Sequence, residues 1–277
     1  MSGSGECHVL RDKHAWVHAM WMLSAAVLAA SAADSSPAAA GWEGLSRLNA
    51  DVALRAFEKE PNAREARFGR AVALLAKQPI LAERVEEARR TFTELADNGG
   101  DDVAQGARYF LGRIAQHHQE TPDLAAAAKH YRRLIAEHGE SIWAQTALTR
   151  LALLELYAPE TEKTPTERVA SAEHLLEAAH LATAKSEIHI VMADAIFYYA
   201  LPETSALPHL LAAEKLGCLD GPVRADVLVQ IAEVSARTGD REQALKFYHA
   251  FLAEFPLDQR QFMVKEKLRA LGASEVR

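Results

Sequence analysis

Cysteine is almost missing from this chain: among 277 residues only Cys7 and Cys218 are cysteines. Cys7 lies before the export cleavage point expected near Ala32, so a processed chain keeps one cysteine and no internal disulfide. Such a chain is compatible with an oxidising compartment, but no disulfide would stabilise it there. Glycine and proline are few (14 and 10), and runs of β-branched residues are rare beside abundant alanine. That balance favours helix over strand. Excess positive charge is also lacking. The net charge of −7 leaves no basic footprint with which to neutralise phosphates, which argues against nucleic acid as a partner.

Fingerprints of catalysis are missing as well. The sequence contains no Gly-x-Ser-x-Gly, no phosphate loop, no dinucleotide-binding glycine pattern and no HExxH. Twelve histidines raise the question of a metal, yet their spacing does not support one. His117 and His118 point to different helix faces, as do His174 and His180, while His130, His138, His189, His209 and His249 are scattered. Neither a metal site nor a cofactor is expected. Glu140-Ser141 reads as a helix boundary with Ser141 as N-cap. Cys218, after Gly217 at a helix end, has no basic partner nearby in sequence. No catalytic residue is assigned, and the chain is read as a binding protein rather than an enzyme.

What is present falls into two parts. Residues 15–33 read AWVHAMWMLSAAVLAASAA, preceded by Arg11 and Lys13 and ending in small residues at Ala30-Ser31-Ala32. A basic flank, an apolar stretch and a small-residue site form the pattern of a cleaved secretory signal. We expect residues 1–32 to be a signal peptide and 33–43 a flexible linker, giving a periplasmic or secreted protein. The alternative is an inner-membrane anchor formed by the same segment, the only route to membrane contact. Met20 or Met22 are alternative translation starts.

The remainder, residues 44–271, is periodic, followed by a tail over 272–277. Phe68-Gly69-Arg70, Leu111-Gly112-Arg113, Leu148-Thr149-Arg150, Met192-Ala193-Asp194 and Ile231-Ala232-Glu233 place a large residue before a smaller one, at separations of 43, 37, 44 and 39 residues. After each comes an i, i+4, i+7 stripe: Ala88/Phe92/Leu95, Ala127/Tyr131/Leu134, Ala172/Leu176/Ala179, Ala206/Leu210/Ala213 and Ala244/Tyr248/Phe251. Breaks fall at Pro61, Gly99-Gly100, Pro122, Gly139, Pro159 to Pro165, Gly217 to Pro222, Gly239-Asp240 and Pro256. Asp240 is expected to cap a helix, with Gln243 completing a capping box. The pattern predicts an all-α fold of about twelve helices, paired antiparallel and stacked so that each pair covers its neighbour's apolar face.

Residues 225–256 resemble a tetratricopeptide repeat through Leu228, Ile231, Ala232, Gly239, Ala244, Tyr248 and Pro256, and residues 103–138 match more loosely through Leu111, Gly112, Ala127 and Tyr131. The C-terminal stretch is similar to repeats of periplasmic and outer-membrane accessory proteins of Gram-negative bacteria. The resemblance fades over 160–215, and periods of 37–44 residues leave HEAT-like or Sel1-like solenoids open. It implies a right-handed superhelical α-solenoid whose first helices line a concave groove. It places Arg70, Arg113, Arg150, Asp194 and Glu233 there, with Tyr109 as an aromatic anchor beside Arg113. Three cations then precede two anions along the groove, drawing acidic segments to its first half and basic ones to its second. The implied partner is a protein or peptide. Val229 and Glu233 stand where a carboxylate-clamp repeat carries Lys and Asn, which speaks against recognition of an EEVD-type tail. The implied function is a scaffold or adaptor; the alternatives are a structural part of an envelope assembly and an exported hydrolase.

Overall fold

The computed structural model describes residues 37–159 and 162–272. The expected signal peptide and residues 33–36 of the expected linker lie outside these, as does most of the tail. The described residues are helical and contain no strand. In chain order the helices are α1 (Pro37–Ser46), α2 (Ala50–Phe57), α3 (Arg64–Ala76), α4 (Ala82–Asp97), α5 (Asp102–His117), α6 (Leu124–His138), α7 (Ile142–Tyr157), α8 (Pro165–Glu173), α9 (Leu175–Ala178), α10 (Ala182–Tyr198), α11 (Leu207–Leu216), α12 (Gly221–Thr238), α13 (Arg241–Glu254) and α14 (Gln261–Ala270). Several ends have a local cause. Asn49, Asp101, Ser141, Thr164, Asp220 and Asp240 cap helices by accepting from a backbone N–H two or three residues into the first turn. Gly217 and Gly239 end α11 and α12 in the left-handed conformation.

Two expectations are corrected. The linker over 33–43 is helical from Pro37 onward, because Ala38, Trp42 and Leu45 fall on one helical face and are buried. The Asp240 cap forms, but Gln243 does not complete a capping box: its side-chain amide donates to Ser235 Oγ instead. A reciprocal box does occur at Thr164, where Glu167 supplies the second partner and Pro165 opens the helix.

Two compact units divide the chain, residues 1–130 and 131–277. In the first, successive helices α1 to α5 pack as neighbours, and α1 and α3 also touch directly. Its core is a run of rings. Trp42 meets Phe57 at 5.3 Å and Phe68 at 5.9 Å, Phe68 meets Phe92 and Phe110 at 5.8 Å, and Phe92 stacks on Phe110 at 5.2 Å. The large–small pattern acquires its reason here. The Phe57 ring lies against both Gly41 and Gly69, in space that any Cβ would fill.

In the second unit α7 packs on α8 and α10, α10 on α11, α11 on α12, α12 on α13 and α13 on α14. Leu148, Ala152 and Leu156 of α7 join Ile188, Val191, Met192 and Ala195 of α10 in one apolar cluster. Leu210, Leu228, Ile231, Tyr248, Phe251, Val264 and Leu268 form the next. The expected stripe Ala172/Leu176/Ala179 is interrupted, since helix stops at His174 and α9 is a single turn. Two buried polar side chains secure the region. Gln145 donates to the carbonyls of Gly139 and Ala178 and accepts from the amides of His180 and Leu181. Arg168 donates to the carbonyls of Leu156 and Ala158 at the end of α7, with its guanidinium 5.9 Å from the Tyr199 ring. These bonds satisfy backbone groups that the helix breaks would otherwise leave buried without partners.

Candidate binding face

The residues expected to line a groove meet different fates. Arg70, on α3, pairs with Glu87 of α4 at 2.6 Å, inside its own hairpin. Tyr109 is 1% exposed and packs edge-on against Phe110. The anchor reading of Tyr109 is therefore corrected: a ring so completely buried has no surface to offer a partner. Its hydroxyl receives a long 3.5 Å contact from Arg113, one turn further on α5. Both belong to the first unit, whereas Arg150, Asp194 and Glu233 belong to the second.

In the second unit the first helices of the pairs carry a coherent polar face. Arg150 of α7 is 8% exposed, and its charge reaches Glu187 of α10. Glu187 accepts from the Thr149 hydroxyl at 2.8 Å. Burial raises its pKa, and that hydrogen bond and Arg150 only partly offset the rise. Seven residues on, Asp194 occupies the same helical face. Its pKa is pushed up to about 6, first by burial and then by the nearby Asp226 carboxylate of α12. Both influences raise it, and Arg260 is turned to Asp226 instead, at 2.5 Å. Glu233 is internally paired, with Arg237 at 3.5 Å and Lys267 of α14 at 4.0 Å.

Aromatic rings sit beside Asp194. Tyr198, one turn later on α10, is 60% exposed. It lies 5.5 Å from Tyr157 of α7 and 4.9 Å from Tyr199. Tyr199 is held in place by donating to the Leu156 carbonyl at 2.6 Å. Burial raises the Tyr157 phenol above its usual range, and the Asp194 charge adds to the shift. An exposed ring next to a carboxylate without a counter-charge suits a cationic side chain, through ion pairing and contact with the ring face. Sequence reasoning located Asp194 but passed over Glu187, Tyr157 and Tyr198. The Glu187–Asp194–Tyr198 spacing of seven and four residues was the available signal.

Among the described residues no group of three or more His, Cys, Asp or Glu side chains is placed to hold a metal ion, and no helix is long and apolar enough to cross a membrane. Cys218 is exposed, its thiol 3.4 Å from the Leu216 carbonyl. Ser141 caps α7 as expected. Among curated proteins none matches this chain. Residues 226–258, which run from within α12 through the Gly239-Asp240 turn and α13, match the family model of the tetratricopeptide repeat, so the hairpin with the most regular pattern is also one that a family model recognises.

Proposed function

We propose that this chain is an exported, non-catalytic adaptor that holds a protein or peptide partner, and that its second unit takes a basic segment of that partner on the Glu187–Asp194–Tyr198 face of α10. The observation that carries the reading is Asp194: a partly buried carboxylate set near the Asp226 carboxylate and beside an exposed tyrosine. Keeping such a group costs the free protein stability, and a partner's Lys or Arg would recover it. The tetratricopeptide hairpin over 226–258 supports a scaffold role, because stacked helix pairs offer extended surfaces suited to partners. Export rests on the pattern in residues 11–33.

Two measurements test this. Fluorescently labelled Lys/Arg-rich and Asp/Glu-rich peptides are titrated with the full chain at low and high salt. The basic peptides are expected to bind more tightly, with salt-sensitive affinity, and Asp194→Lys with Tyr198→Ala should weaken them about tenfold, or roughly 1.4 kcal/mol. Equal binding of both peptide classes, or no effect of the double substitution, would refute the basic-segment reading. For export, N-terminal sequencing of chain recovered from the envelope fraction should begin just after Ala32. Recovery of uncleaved chain in the cytoplasm alone would remove that part.

A further inference from the structure

We propose that His189 and His209 form an acid-sensitive clasp fastening α11 to α10, which opens when both rings are positively charged. The sequence separates these histidines by 20 residues, and only the α10–α11 hairpin brings them together. Their Nδ1 atoms are 3.0 Å apart, and the rings are tilted by 44° with centroids 5.3 Å apart. Facing nitrogens at that distance hold one shared proton: one ring donates and the other accepts. When both rings become imidazolium cations, two Nδ1–H donors are opposed, turning the hydrogen bond into a contact between like charges.

The surroundings favour release over tolerance. Lys185, one turn earlier on α10, adds positive charge near His189. Glu173 of α8 bears on His209 and favours its charged form, but burial outweighs it. No charged group of α7, α9 or α12 bears on either ring among the described residues. Burial first, and then the neighbouring ring, lower His189 to about 4, and burial lowers His209 as well. The sign follows. Two histidines that take up protons less readily when clasped than when open stabilise the clasp above about pH 6.5, and that stabilisation is lost progressively as pH falls toward 4.

What opens is bounded by the other contacts of α11. Leu210 and Ala213, with Ala206 just before the helix, are buried in the core, and Glu214 lies 3.5 Å from Arg224 of α12. Acid is therefore expected to loosen the α10–α11 seam and leave the α12–α13 hairpin closed. The clasp does not depend on the proposed binding face, although α10 carries both.

Amide hydrogen exchange of the full chain at pH 7 and pH 4.5, corrected for intrinsic exchange rates, tests this alongside NMR titration of the imidazoles. Protection of α11 amides in the wild type should fall about tenfold or more at pH 4.5, while α12 and α13 keep theirs. In the His189→Gln/His209→Gln variant the acid-induced loss at α11 should vanish. Unchanged α11 protection in the wild type, or the same acid loss in the double variant, overturns the clasp. Should the double variant not fold, the wild-type titration decides: both rings titrating near 6.5 would also overturn it.

Discussion

Gly69→Ala is expected to destabilise the first unit, against the trend for its position. In the middle of an exposed helix, replacing glycine by alanine gains about 1 kcal/mol through helix propensity. Gly69 lies mid-helix in α3, but a Cβ there would run into the Phe57 ring. The ring has nowhere to retreat. Phe57 is 0% exposed, and a Cβ on Gly41 would stand 2.5 Å from it on the other side. Trp42 closes a further side at 5.3 Å. Overpacking of this kind costs about 1–3 kcal/mol, occasionally more, and here lies toward the upper end, about 2–4 kcal/mol, because two helices must separate to admit one methyl. After the propensity gain we expect a net loss of about 1–3 kcal/mol, a fall in Tm of roughly 3–10 °C. Thermal and urea denaturation followed by circular dichroism measure it. Phe57→Leu destabilises by itself, yet in combination with Gly69→Ala it should cost less than the sum, since the smaller side chain frees the space. Gly69→Ala as stable as the wild type, or additive costs in the double variant, would refute the reasoning.

Further expectations concern the second unit. Gln145→Leu strips partners from two carbonyls and two amides around the α9–α10 junction and should cost about 2–4 kcal/mol, read as a lowered urea midpoint; a loss under 0.5 kcal/mol would show those bonds to be unimportant. Ala200→Gly should stabilise by about 0.5–1 kcal/mol. Ala200 has φ 51° in a turn where Ala200 N–H donates to Phe197 and Leu201 N–H to Ile196, so a loss of stability would contradict the assigned turn. Asp194→Asn should raise stability at pH 7.5 by up to about 3 kcal/mol. With its folded pKa near 6 against 3.8, the wild-type carboxylate lowers stability at neutral pH, and this cost fades as pH falls from above 6 to 4. Relative to wild type, the Asn variant should thus show its largest advantage at high pH and little at pH 4; a constant difference across that range would contradict the burial of Asp194.

Much of the fold was legible because helix pairing is written in local periodicity. Phe68, Leu111, Leu148, Met192 and Ile231 all sit within first helices, and Ala244/Tyr248/Phe251 faces the core. Legibility failed where one side chain does the work of a pattern. The 165–178 segment has no continuous stripe, and Arg168 and Gln145 hold it through backbone bonds that no spacing rule anticipates. The Pro37–Ser46 helix was missed because Ser35-Ser36-Pro37 and Ala-rich residues read as linker, although Trp42 anchors it in the ring cluster.

The sequence by itself determined the helical class, the pairing of helices and where most of them end, since apolar spacing and capping chemistry act within a few turns of chain. Only the tertiary structure decided which charges remain uncompensated and which polar groups meet. Arg70 is neutralised by Glu87 and Glu233 by its neighbours, while Asp194 is left facing Asp226 and His189 is set against His209. The reason is that charge compensation and burial depend on distances between helices, and those distances are fixed by packing rather than by position along the chain.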